Sequence, residues 1–103
     1  MIQFNRYPHV KDLITHYAKD MNEPSILLML EQGINNEQEA TAFAQFVWQM
    51  VGQMGVDSEN GVSVLGRTDN TDTIPDIDYE ISLQLANLGF EEIWNKICDG
   101  EQD

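Results

Sequence analysis

The chain has 103 residues, 42% of them hydrophobic, and a formal net charge of -13 from 18 acidic and 5 basic side chains. That length gives one domain with one modest core and excludes separate catalytic and cofactor domains, while four phenylalanines and two tryptophans exclude wholesale disorder. So negative a surface attracts neither nucleic-acid phosphate nor an anionic membrane by charge, and a single cysteine, Cys98, excludes an intrachain disulfide.

In chain order, residues 1–6 read as a short strand or a lead-in. The stretch MIQFNRYPHVKD has no basic segment followed by an apolar core, and no window reaches the length of a membrane span, so a soluble cytoplasmic protein is expected. A first helix is predicted over about 7–20, because Pro8 suits a first turn and Val10, Leu13, Ile14 and Tyr17 recur at helical spacing. A second starts near Pro24, runs through Ile26, Leu27, Leu28, Met29 and Leu30, and stops at Gly33; being apolar almost all round, it is expected to be buried.

Asn36 followed by Glu39 has the spacing of a capping box and opens the strongest helical segment, 37 to about 54. Ala40, Phe43, Val47, Met50 and Met54 line one face, and Phe46, Trp48 and Val51 widen it, which places this helix centrally with neighbours on several sides. Gly52 and Gly55 are expected to weaken its end.

Residues 57–76 form an acidic, polar connection within which Val62, Val64 and Leu65 allow a brief strand paired with residues 2–4. Asp76 or Asp78 is placed to cap a fourth helix over 79–87 that ends at Gly89. Phe90, Ile93, Trp94 and Ile97 define a fifth, ending at Gly100, and 101–103 is a solvated tail. The fold expected is mainly α: a single-domain bundle of about five helices over 1–103, with room for a small two-stranded β element.

No catalytic, cofactor or metal motif emerges from the residue types. Asp69 and Glu80 stand at the first and twelfth positions of a calcium-loop spacing, but Thr71 and Thr73 occupy ligand positions and Ile74 replaces the central glycine. His9 and His16 share a helical face with Asp12 and Asp20 within reach of His16, a spacing suited to surface ion pairs; zinc would need HExxH or paired CxxC. No serine lies in a GxSxG turn, Cys98 reads as a small packed hydrophobe, and Arg67 stands where a phosphate-binding loop needs lysine. Met50, Met54 and the tryptophans read as core before they read as a peptide groove. An enzyme is not expected.

Charge is the remaining signal. Residues 1–56 hold six acids against three bases, and residues 57–103 hold twelve against two. The stretch RTDNTDTIPDIDYE, 67–80, carries five of those carboxylates. If the connection folds beside the last helices, Asp69, Asp72, Asp76, Asp78, Glu80, Glu91 and Glu92 form one negative surface for a basic partner.

In size, solubility, cysteine poverty and acidity the chain resembles the small immunity proteins that neutralise bacterial toxins, including those of contact-dependent growth inhibition. That resemblance implies a cognate toxin, often a basic nuclease, held inactive in the cytoplasm by tight binding. Two other readings fit the composition: a phage or plasmid DNA mimic whose carboxylates imitate phosphates, and a helical adaptor that takes a peptide in an apolar groove.

Overall fold

The computed structural model describes residues 4, 6–61 and 74–100, with side chains through residue 97. Within them lie five helices and no strand: α1 (His9–Asp20), α2 (Pro24–Gln32), α3 (Glu37–Glu59), α4 (Ile74–Asn87) and α5 (Glu91–Gly100). The expected mainly α bundle is the observed one. The strand pairing of 2–4 with 62–65, the packing of Cys98 and the tail at 101–103 lie outside the described residues and side chains.

Helix ends follow local chemistry. Asn36 adopts an extended backbone and its side chain accepts from the Glu39 amide at 2.8 Å, while the Glu39 carboxylate accepts from the Asn35 amide at 3.2 Å. The anticipated capping box is therefore present, with its return bond one residue further upstream. Helix α2 ends at Gly33, whose φ of 93° is a region that glycine enters without a Cβ penalty.

Two helices differ from expectation in a way that matters below. Helix α3 does not stop at Met54; it continues through Gly52 and Gly55 to Glu59. Each glycine costs about 1 kcal/mol relative to alanine in a helix, yet the fully buried Met54 and an anchor on Asp57 hold the last turns in place. Helix α4 begins at Ile74, five residues before the expected start, because Pro75 is tolerated in a first turn and Ile77 already belongs to the buried face with Ile81 and Leu85.

One apolar cluster joins the helices. Its largest fully buried members include Tyr17, Phe43, Leu13, Ile14, Met50, Met54 and Ile81. Helix α3 packs against all four other helices, as its wide apolar face predicts. Helix α2 is less enclosed than its composition implied: Ile26, Met29 and Leu30 are buried, but Leu28 is 52% exposed. A nine-residue helix at the periphery has one side on the core; Leu27 lies half-buried against it and Leu28 stays in solvent. Among the described residues no helix is long and apolar enough to cross a membrane.

Candidate functional site

The acids of α4 are engaged by other parts of the fold, Glu80 buried, Asp76 half-buried and Asp78 exposed. Glu80 is 1% exposed and its Oε1 accepts from the backbone amides of Arg6 at 3.1 Å and Tyr7 at 2.7 Å. Those amides lie just ahead of α1, which has no side-chain cap of its own, so Glu80 acts as an acceptor supplied from another helix. Its other oxygen, Oε2, is buried without a hydrogen-bond partner among the described residues. Glu80 therefore does not belong to the negative surface expected of it. In a helix that starts at Ile74 it lies between Ile77 and Ile81, on the side facing the core.

One turn earlier, Asp76 Oδ2 meets His9 Nε2 at 3.0 Å, both side chains being about one-quarter exposed. Asp76 and Glu80, four residues apart, thus hold the start of α1 from a single face of α4. Tyr7 completes the contact, edge-on to both His9 and Tyr79, while the Arg6 guanidinium stands 5.9 Å and 5.7 Å from the ring centroids of Tyr7 and Tyr79. His9 pairs across the fold rather than along its own helix. His16 is exposed and sets its ring edge-on to Tyr17.

Asp78 has a different internal task. Its Oδ1 accepts from the indole Nε1 of Trp94 at 2.7 Å, tying α4 to α5. Trp94 is buried and lies edge-on to Trp48 with centroids 6.2 Å apart. A large indole buried this deeply needs an acceptor for its N–H, and Asp78 provides it. Asp57 at the end of α3 repeats the pattern, accepting from the Tyr17 hydroxyl at 2.8 Å and from the Gln53 amide at 2.9 Å. Burial, then the bond to Asp57 and the charges of Asp57 and Asp20, push the Tyr17 phenol above its ordinary range.

The acids in the first turn of α5 turn outward. Glu91 and Glu92 are exposed in its first turn, and with Glu37 from the first turn of α3 they rim a concave site of about 440 Å³. Ala86, Gly89, Phe90 and Ile93 supply its apolar part. The turn between α4 and α5 shapes it: Gly89 at φ 84° lets the chain reverse, and the Phe90 amide returns to the Leu85 carbonyl at 2.7 Å. A smaller concavity of about 180 Å³ continues along α5 past Thr41 to Lys96.

First-turn residues of two helices, α3 and α5, line this site, and each helix N-terminus is worth about +0.5 charge. Against roughly +1 from the backbone stand three carboxylates, none with a side-chain hydrogen bond or ion pair among the described residues. Even with Lys96, which lines the continuation beside Glu37 and Glu92, the balance is negative, beside apolar surface. Such a site suits a lysine or arginine that rests its stem on Phe90 and Ile93 and brings its charge to the rim.

Of the seven acids expected to meet a partner, Glu91 and Glu92 stand together on this rim. Asp76 and Asp78 are engaged with His9 and Trp94, Glu80 is buried, and Asp69 and Asp72 lie outside the described residues. Glu37 is the addition: it precedes the others by over fifty positions, and its only sequence signal is its place in the first turn after Asn36. Among the described residues no group of three or more His, Cys, Asp or Glu side chains is arranged to hold a metal ion. Comparison with protein-family models, curated proteins and solved structures yields no match.

Proposed function

We propose that this protein is a cytoplasmic immunity or inhibitor protein that binds a basic nuclease-type toxin and blocks it by occlusion. The observation that carries the reading is the site between α3 and α5, where Glu37, Glu91 and Glu92 surround an apolar floor in a chain of net charge -13. The long-range field raises the rate at which a basic partner arrives. Residence then depends on a cationic side chain lodged in the cavity, because close, partly desolvated contacts set the dissociation rate. Lysines and arginines that would otherwise hold nucleic-acid phosphate are the groups such a site competes for.

The DNA-mimic alternative needs carboxylates displayed along an exposed ridge. The burial of Glu80 and the pairing of Asp76 with His9 and of Asp78 with Trp94 count against it, since they take up carboxylate oxygens that a phosphate mimic would display.

The test is capture of a partner from the native cells at low and high salt, followed by a nuclease assay of the recovered protein with and without this chain. A basic nuclease is expected, inhibited by the wild-type chain and about tenfold less well by Glu91→Lys/Glu92→Lys. Equal capture at high salt and by the double variant would remove the electrostatic site. A recovered partner whose nuclease activity ignores the chain would remove the inhibitor role.

A further inference from the structure

Helix α4 has an outward face that is apolar in a strongly acidic protein. At about 100° per residue, Tyr79, Leu83 and Ala86 fall within roughly 60° of one another, opposite the buried Ile77, Ile81 and Leu85. Tyr79 is 45% and Leu83 40% exposed, and Ala86 is exposed as well. The stripe rises about 10 Å along the helix. It has a direction, because Ala86 is also a wall of the cavity rimmed by Glu37, Glu91 and Glu92. At the other end stands a cation, the Arg6 guanidinium 5.7 Å from the Tyr79 ring centroid.

We infer that this stripe and the cavity together form one docking track for an amphipathic helix of the partner, with apolar residues along Tyr79, Leu83 and Ala86 and a lysine or arginine entering the acidic cavity at one end. The inference rests on the reading of that cavity as a site for a cationic side chain and specifies what else the partner must carry. Charge complementarity selects the occupant. A second copy of this chain would bring another -13 and its own carboxylates to the same place. A uniformly basic segment would set cations against the uncharged stripe and against Arg6. Apolar spacing of i, i+4 and i+7 with the cation displaced to one end matches every part of the track.

Calorimetry with three synthetic peptides of roughly 14 residues, about four helical turns, tests this. One has a leucine face and lysines confined to one end, the second has glutamates at that end, and the third is oligolysine. The first is expected to bind about tenfold more tightly than either of the others. Leu83→Gln, which leaves the charge unchanged, lowers its affinity roughly five- to tenfold through lost apolar contact and leaves oligolysine unaffected; Leu83→Ala serves equally should the glutamine variant fold poorly. Glu91→Lys/Glu92→Lys weakens both lysine peptides.

Unchanged binding of the leucine–lysine peptide to the Leu83 variants, or oligolysine binding as tightly as that peptide, overturns the track while the cavity reading stands. Indifference of oligolysine to the charge reversal overturns the cavity reading itself. Concentration-dependent dimerisation abolished by Leu83→Gln in sedimentation would assign the stripe to self-association and overturn the inference.

Discussion

Helices α4 and α5 each carry carboxylates near their starts, and the fold uses them in opposite ways. Those of α4 are acceptors for other parts of the protein: Asp76 for His9, Asp78 for the Trp94 indole and Glu80 for the amides of Arg6 and Tyr7. Those of α5 have no hydrogen-bond or ion-pair partner among the described residues and rim a cavity. The difference teaches that an acid count measures the long-range field but not the contact surface. A carboxylate holding two backbone amides contributes to structure, and a carboxylate in a first turn with no partner is free to meet another molecule.

Substitutions in the two sets should therefore separate stability from binding. The largest effect is expected from Glu80→Ala, which leaves the amides of Arg6 and Tyr7 without their acceptor and costs about 2–3 kcal/mol. A fall in Tm of about 10 °C or more should follow in a domain of this size, and Glu80→Gln, which keeps one acceptor oxygen, should lose less. An unchanged melting curve for the alanine variant would take Glu80 out of the structural set.

Next comes Asp78→Ala, which removes the partner of a buried indole N–H and should cost about 1–2 kcal/mol. The change should be visible in tryptophan fluorescence and near-ultraviolet circular dichroism, because Trp94 lies against Trp48. Unaltered spectra and stability would mean that the bond to Asp78 does not hold Trp94.

Tyr17 extends the comparison to α3, whose Asp57 is likewise an internal acceptor. Its phenol is raised above the ordinary value of 10.0, so above that pH the unfolded chain loses the proton while the folded one retains it. The unfolded state then binds fewer protons than the native state, and stability falls as pH climbs from 10 through the folded value. The contribution is fully present below pH 10. Tyr17→Phe should cost about 1 kcal/mol at neutral pH and flatten the decline seen by thermal melts in the alkaline range; an equally steep decline in the variant would place its origin elsewhere.

The smallest stability change should come from Glu91→Lys/Glu92→Lys. Loss of favourable first-turn charge, about 0.3–1 kcal/mol per residue, is offset by relief of self-repulsion in a chain of net charge -13, while capture of a basic partner is the property that should weaken. If this variant unfolds and Glu80→Ala does not, the division between the two helices is wrong.

Much of the architecture is legible in the residue pattern. The 3.6-residue recurrence of Val10, Leu13, Ile14 and Tyr17, the Asn36–Glu39 box and the glycines at 33 and 89 fix local choices whose causes lie within a few residues of each other. The misplaced start of α4 shows where that legibility stops. Beginning the helix at Tyr79 puts Glu80 in a solvated first turn. Beginning it at Ile74 puts Glu80 on the buried face, and the apolar positions of Ile77, Ile81 and Leu85 contain that signal once Pro75 is accepted in the first turn.

Sequence alone determined that this chain is a small helical domain with a large negative field, because periodicity, capping and net charge are local or additive properties. Which carboxylates would be drawn inside and which left on a rim was decided only by tertiary structure. Glu80 finds its amides 73 and 74 residues away, Trp94 finds Asp78 on another helix, and Glu37 joins Glu91 and Glu92 only when α3 and α5 meet. Such groupings come from how the apolar faces close on one another, and hydrogen-bond partners for buried polar groups are then taken from whatever the closure brings within about 3 Å.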